Sequence, residues 1–310
     1  MRPGAGAART AGAEGADAGQ DLLQLPSAGP GGVRAARRVD GGGPRLHAAP
    51  GYRVIPFRRR VIDALVAPLR ALDAVEAVWE GGSAATGRLD AFSDVDLCIV
   101  APADHTDAVF DAVERALATV APIEHAWRVE PPAFRDMAQR FYLLAGAPPF
   151  FAVDCSVLAP AGVAQFLERE RHGEPLVYFD RGGRVRAVPL DRSAHEAKRS
   201  ARLAQIGQAA PVYALLARKE LARERALEAL GFYQALLRAL VELFGMAHRP
   251  ERFDFGLRYV HGDFPPEVQR RLAHFAFVPD VQSLAGRIDE IVAAIQAQHA
   301  ALTAQNRAAP

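Results

Sequence analysis

Residues 81–100, which read GGSAATGRLDAFSDVDLCIV, constrain the fold of this chain more than any other stretch. A glycine-rich turn is followed by Asp94 and Asp96, which come just before the apolar run 97–100. Side chains alternate along a strand, so residues two apart point to the same side. Two carboxylates a few ångströms apart repel each other unless a cation offsets their charge. The stretch predicts a strand that binds a divalent cation at its start. Carboxylate oxygen ligands that leave coordination positions open for water and phosphate oxygens favour Mg²⁺.

A third aspartate lies in a second apolar run. Asp154 stands within FFAVDCSVL, where an isolated ionised carboxylate is costly unless it is paired, bound to a metal or at an exposed edge. If this strand is the neighbour of the strand that holds Asp96, three carboxylates converge. Such a cluster can hold two metal ions, or one metal ion beside a general base. In the alternative interpretation, SDVD is only the solvated start of a strand, and Asp154 is an aspartate exposed at the edge of the sheet.

The turn at Gly81-Gly82-Ser83 predicts a phosphate site. Backbone N–H groups at a helix start, together with a serine hydroxyl, bind phosphate oxygens, and glycines let the backbone approach closely. A phosphate-binding turn 11 to 13 residues before a pair of metal ligands indicates a site for a nucleoside triphosphate.

Hydrophobic periodicity divides the chain into three parts. Residues 1–50 are rich in Gly, Ala, Arg and Pro and predict a disordered tail. Residues 51–190 alternate helical and strand patterns and predict an α/β domain, whereas 191–310 predict helices almost throughout. Helices are expected at 57–75 and 105–121, strands or extended segments at 75–82, 93–102, 126–132, 140–146 and 149–160, and a hairpin or a strand and turn at 175–185. Trp79 and the aromatic residues Phe141, Tyr142, Phe150 and Phe151 are expected in the core.

Composition and charge narrow the classes of function. The formal net charge of +1 argues against a bulk binder of nucleic acid or membrane surfaces. No run approaches the roughly 18 apolar residues that span a bilayer. The two cysteines, Cys98 and Cys155, lie in apolar runs and are expected to be buried and reduced, which favours a cytoplasmic protein. No motif indicates an oligomeric state.

The pattern GGS…G…SDVDL with a later aspartate in a strand resembles the nucleotidyltransferase superfamily to which DNA polymerase beta belongs. A small catalytic domain followed by a helical domain is similar to the antibiotic nucleotidyltransferases that act on aminoglycosides and lincosamides. The resemblance covers residues 80–158 and implies an α+β fold, with a five-stranded mixed sheet and flanking helices, followed by an all-α helical bundle. It also implies Mg²⁺-dependent transfer of a nucleoside monophosphate from an NTP, with ATP expected, and release of pyrophosphate.

The resemblance assigns roles to residues of this chain. Gly82 and Ser83 would bind the phosphates, while Asp94, Asp96 and Asp154 would be both the catalytic and the metal-binding residues, for one or two Mg²⁺ ions. Many relatives carry an arginine between the serine and the next glycine, where this chain has residues 84–86 (Ala-Ala-Thr), and Arg88 is the candidate to take its place.

The helical half leaves further roles open. Lys219, one of two lysines, would reach the triphosphate if its helix lies across the site. Glu220, Glu224 or Glu228 on the same helix are alternatives to Asp154 as the base. The expected acceptor is a hydroxyl of a small molecule, an antibiotic by analogy. A protein acceptor, or a non-catalytic nucleotide-binding or antitoxin-like module, is the alternative.

Overall fold

The computed structural model describes residues 51–308. The predicted disordered tail, 1–50, lies outside the described residues. The described chain forms two compact units. The first runs to Leu167 and also includes Glu174–Arg186, and the second comprises Glu168–Gly173 and the residues from Ala187 onward.

The first unit is built on one mixed sheet, so the α+β fold class is confirmed. The strands are β1 (Ala77–Glu80), β2 (Val95–Val100), β3 (Ile123–Arg128), β4 (Met137–Leu144), β5 (Val153–Leu158) and β6 (Leu176–Asp180). The strand order is β3-β4-β5-β2-β1-β6. β2 and β5 are parallel, and the other neighbouring pairs are antiparallel. The sheet has six strands rather than the five that the resemblance implies, because β6 pairs with β1 at one edge.

Two amphipathic helices cover one face of this sheet, and a single helical turn follows β1. Val61, Leu65 and Leu69 recur at helical spacing and are fully buried, as the sequence pattern predicts. They share one apolar core with Phe110 and with Ile99 of the sheet. Burial of this core is the main stabilising contribution to the unit. The helices are α1 (Gly51–Ala71), α2 (Gly82–Ala85, the single turn) and α3 (Thr106–Val120).

A smaller core lies on the opposite face of the sheet, towards the carboxyl ends of β2 and β5. Trp79 is buried there with Val100 and Leu158, under Val163 and Leu167. The prediction that Trp79 is a core residue is therefore confirmed. The two aspartates of β2 and β5 on this face, Asp96 and Asp154, lie near the other ends of the strands, where each strand begins.

The second unit is helical, as predicted. Its three longest helices share a core that includes Leu236, Leu240 and Ile291. The helix Ala226–His248 is long and apolar enough to cross a membrane by composition, but 56% of its most apolar window is buried inside the protein, as in the core helix of a globular unit. The helices are α4 (Arg169–His172), α5 (Arg192–Ala222), α6 (Ala226–His248), α7 (Val260–Asp263), α8 (Pro266–Ala276) and α9 (Val281–Ala308).

Candidate active site

Asp96 and Asp154 lie side by side on the sheet. β2 and β5 are parallel neighbours, and Asp96 is the register partner of Asp154. The residues that follow them, Leu97 and Cys155, are buried in the core beneath α1 and α3. Because side chains alternate along a strand, the two carboxylates project from the opposite face. The structure thus brings together two of the three predicted aspartates.

Asp94 lies immediately before β2 and binds the segment that leads into β5. Its Oδ1 accepts a hydrogen bond of 2.7 Å from the backbone N–H of Ala152. Burial raises the pKa of Asp94 and the negative charge of Asp96 raises it further, whereas the hydrogen bond from Ala152 acts in the opposite direction. The mutual effect of the two carboxylates is the repulsion that the sequence predicts.

The glycine turn packs directly against Asp96. The N–H of Gly81 donates to the carbonyl of Asp96 at 3.0 Å, and Gly82 opens α2 with a φ of +53°. A Cβ placed on Gly82 would lie 1.7 Å from Asp96 Oδ2, so the carboxylate occupies space that only glycine leaves open. The backbone N–H of Arg88 donates to the carbonyl of Ser83 at 2.9 Å and closes the turn. Gly82, Ser83 and Arg88 are therefore part of one structure beside the carboxylates.

Gln139 of β4 is a member of this site that sequence reasoning missed. Its side-chain nitrogen donates to both carboxylate oxygens of Asp154, at 2.9 and 2.8 Å. Nothing in the sequence distinguishes this glutamine, because the contact depends on β4 lying beside β5. The amide holds the Asp154 carboxylate in one orientation.

A buried polar network supports the turn from behind, and sequence reasoning missed it too. Glu80, at the end of β1, is 1% exposed and forms an ion pair with Arg58 of α1. Tyr178 donates its hydroxyl to the other oxygen of Glu80 at 2.7 Å. Arg58 Nε also donates to the carbonyl of Asp94 at 3.3 Å. The network therefore joins the residue before the glycine turn to the backbone of a predicted metal ligand.

Two of the aromatic residues expected in the core lie elsewhere. Tyr142 and Phe151 are buried as predicted, but Phe150 is 70% exposed and has a φ of +69°. Its ring lies 6.1 Å from that of Phe92. Phe141 is only half-buried. The prediction failed because the apolar run that begins before β5 turns sharply at Phe150 and enters the strand only at Val153.

Lys219 belongs to the second unit, near the end of α5. Its ammonium lies 3.8 Å from Glu220, whose side chain is 9% exposed. Glu220 also binds Arg223 at 3.0 Å. Within its own unit this glutamate is thus engaged in ion pairs at the end of the helix.

The donor set on the sheet fits a hard divalent cation. Three aspartates supply only oxygen ligands, which Mg²⁺ prefers. Among residues 51–308, no three acidic, histidine or cysteine side chains converge closely enough to hold a metal ion as they stand. Asp96 and Asp154 are nonetheless register partners. Burial has the largest effect in raising the pKa of the nearby Cys98 thiol, and the negative charges of Asp154 and Asp96 raise it further. Two carboxylates aligned on neighbouring strands repel each other, and cation binding relieves that repulsion.

A family model matches the first unit. Residues 62–131 match the model of the nucleotidyltransferase domain. The matched segment contains the glycine turn and both Asp94 and Asp96, and Asp154 lies outside it. The register of β5 against β2 places Asp154 beside the matched part of the site.

Several solved structures are similar to the chain. An aminoglycoside 6-adenyltransferase from Bacillus subtilis has a TM-score of 0.29 at 10% identity, over 78% of this chain and 90% of that one. The spectinomycin adenyltransferase AAD(9) from Enterococcus faecialis, solved with ATP and spectinomycin, has a TM-score of 0.34 at 11% identity, over 78% and 99%. A STING-associated c-di-GMP synthase from Capnocytophaga granulosa has a TM-score of 0.27 at 14% identity, over 78% and 83%. No curated protein matches significantly in sequence.

Proposed function

We propose that this chain, which carries a nucleotidyltransferase domain and so belongs with the transferases of phosphorus-containing groups, moves a nucleoside monophosphate to a hydroxyl of a small molecule. The donor is an NTP, with ATP as the first candidate, and the product besides the modified acceptor is pyrophosphate. The observation that carries the proposal is the alignment of Asp96 with Asp154 beside a glycine turn that packs against Asp96.

Each group has a defined task in this reaction. The N–H groups and hydroxyl of the turn at Gly82 and Ser83 bind phosphate oxygens of the leaving pyrophosphate, with Arg88 close to them. Asp94, Asp96 and Asp154 would hold Mg²⁺, which offsets the charge of the triphosphate when it is bound. The protein's contribution is mainly to position the reactants and to stabilise charge.

The chemical step is an in-line displacement at the α-phosphorus. The acceptor oxygen forms a new bond to phosphorus, and the bond from phosphorus to the bridging oxygen breaks, with its electron pair leaving on pyrophosphate. The hydroxyl proton passes to a carboxylate, for which we propose Asp154. Gln139 holds that carboxylate through both oxygens and so fixes its orientation.

The compartment and the acceptor are part of the same proposal. Cys98 and Cys155 are free thiols, which fits a reducing cytoplasm. The acceptor is proposed to be a small molecule, and an aminoglycoside or a lincosamide is the first class to test. A role for Lys219 at the triphosphate is proposed on its charge alone.

The test is transfer of label from α-labelled ATP, GTP, CTP or UTP in the presence of Mg²⁺. The acceptors are a panel of aminoglycosides and lincosamides, with cell lysate as a source of other molecules. Asp96→Asn should abolish transfer, whereas Asp104→Asn, which changes an exposed aspartate beyond β2, should not. Label found on a lysate protein would indicate that the acceptor is a protein and not a small molecule. Transfer that survives in Asp96→Asn would refute the assignment of the site.

A further inference from the structure

A row of four side chains crosses the sheet at the candidate site. Trp127 of β3 is the register partner of Phe141 of β4, and Phe141 is the partner of Asp154 of β5. Asp154 is in turn the partner of Asp96 of β2. Directly opposed residues on neighbouring strands point to the same face and lie about 5 Å apart. Two aromatic rings and two carboxylates therefore form one continuous surface.

The neighbouring residues establish which face the rings occupy. Arg140 binds Glu114 of α3 at 2.6 Å, and Arg128 binds an aspartate of the same helix at 2.8 Å. Because side chains alternate, Trp127 and Phe141 point away from α3, to the side of the aspartates. Their rings are stacked, with centroids 5.5 Å apart and planes inclined by 18°.

The tryptophan of this pair is open to solvent. Trp127 is 44% exposed, whereas Trp79, the other tryptophan of the chain, is 1% exposed. Solvent-exposed aromatic rings beside convergent polar groups are typical of ligand sites, because the rings supply contact area and the polar groups fix orientation. The stacked pair adjoins Asp154 directly, so a ligand on the rings would reach the carboxylates.

The order of the strands indicates which reactant would lie there. The turn at Gly82 follows β1, on one side of the carboxylates, and the rings of Trp127 and Phe141 lie on β3 and β4, on the other side. In an in-line displacement the nucleophile enters opposite the leaving group. If pyrophosphate leaves at the turn, the acceptor enters from the side of the stacked rings.

We infer that Trp127 and Phe141 form the platform on which a ring of the acceptor lies while its hydroxyl reaches the α-phosphorus. The inference rests on the proposed transfer reaction and identifies the specificity-determining residues on its acceptor side. A stacked ring would be held with its edge towards Asp154, the proposed proton acceptor. The nucleotide, bound at the turn, does not depend on the platform.

Fluorescence tests the platform without catalysis. Trp79→Phe leaves Trp127 as the sole tryptophan, and Trp127→Phe leaves only the buried Trp79. Kanamycin, spectinomycin, lincomycin and ATP with Mg²⁺ are each added, and quenching by acrylamide is measured. At least one of the three ring compounds should protect Trp127 from acrylamide, while ATP should not. The Trp127→Phe protein should show little quenching throughout. If Trp79→Phe does not fold, the difference between wild type and Trp127→Phe supplies the same signal.

Steady-state kinetics give a second, independent readout. Trp127→Ala should raise the KM of the compound that accepts label by about tenfold or more, the size of an aromatic stacking effect, and leave the KM of ATP unchanged. Trp127→Phe should restore most of the loss. Phe134→Ala is the matched control, since Phe134 is 45% exposed but precedes β4 at the end remote from the carboxylates.

The outcomes separate this inference from the proposed function. Protection by ATP but not by any ring compound would assign the rings to the nucleotide and overturn the inference. An unchanged acceptor KM in Trp127→Ala, or protection by none of the probes, would also overturn it. Loss of the proposed function would appear instead as absence of transfer from wild-type protein, and the protection measurement would still report whether a ring binds at Trp127.

Discussion

Replacing Gly82 with alanine introduces a methyl group where the carboxylate of Asp96 lies. The new Cβ would be 1.7 Å from Asp96 Oδ2, and contacts of a real Cβ almost never fall below 3.0 Å, so the carboxylate must retreat by about 1.3 Å. The backbone at residue 82 also has a φ of +53°, a left-handed conformation that alanine adopts at a cost. The substitution therefore perturbs the turn and the proposed metal ligand together.

The expected magnitudes differ for stability and for activity. The left-handed conformation costs about 1–2 kcal/mol, which corresponds to a fall in Tm of about 3–6 °C for a unit of this size. Misplacement of a reacting group by about 1 Å can cost on the order of 100-fold in rate. Gly82→Ala should thus lose about 100-fold in transfer while most of the protein remains folded at 25 °C.

Gly81→Ala is the matched control for this experiment. A Cβ on Gly81 meets nothing within 4 Å, and its φ of −98° lies outside the left-handed region that disfavours alanine at residue 82. Thermal melting by circular dichroism and calorimetric titration of ATP with Mg²⁺ would accompany the labelled transfer assay. If Gly82→Ala retains as much ATP binding and transfer as Gly81→Ala, the turn does not position Asp96 and the argument fails.

Three further predictions concern the same unit. Asp94→Asn keeps a hydrogen-bond acceptor for the N–H of Ala152 but removes a negative charge that burial and Asp96 both disfavour. The Tm measured without metal should therefore rise or stay constant, and Mg²⁺ should raise the Tm of the wild type only. A lower Tm of the variant without metal would contradict this reasoning. Arg58→Met leaves Glu80 buried without its ion-pair partner and should lower the free energy of unfolding, measured in denaturant, by about 3–5 kcal/mol. The double variant Arg58→Met with Glu80→Gln should recover part of this loss, and fully additive losses would count against the ion pair. Burial raises the pKa of both the Cys98 and Cys155 thiols, and Cys155 is also inaccessible to solvent. Cys155 should therefore not react with Ellman's reagent until the protein unfolds, and rapid labelling of both thiols in the native protein would show the reasoning wrong.

The features that sequence predicted are those encoded within one contiguous stretch. The apolar run after Asp96 specifies a buried strand, and the glycines before it specify a turn, so the order turn, carboxylate, strand is local information. Pairing of Asp96 with Asp154 needed one further assumption, that two apolar strands are neighbours, and the register confirms it. Apolar runs of this kind are typical of central parallel strands, which are buried on both faces.

The features that sequence missed depend on contacts between distant segments. Glu80 and Tyr178 are 98 residues apart and meet only because β6 pairs with β1. Trp127 lies on the edge strand β3, where five of the six residues are exposed, so no apolar alternation marks the strand or its faces. Phe141 is expected in the core like the other aromatic residues near it, yet its side chain points to the opposite face from that of Tyr142.

The two sides of the candidate site are built differently. The side proposed to bind phosphate is one continuous segment from β1 to β2, in which a single substitution at Gly82 displaces Asp96. The opposite side consists of β3 and β4, whose side chains reach the carboxylates only through strand register. A change at Trp127 can therefore alter what lies on the rings without moving the turn or the aspartates, because the edge strand carries little of the core. In the proposed reaction, selectivity for the acceptor is thus separable from the chemistry, and substitutions at Trp127 and Phe141 should redirect the acceptor while the nucleotide reaction is retained.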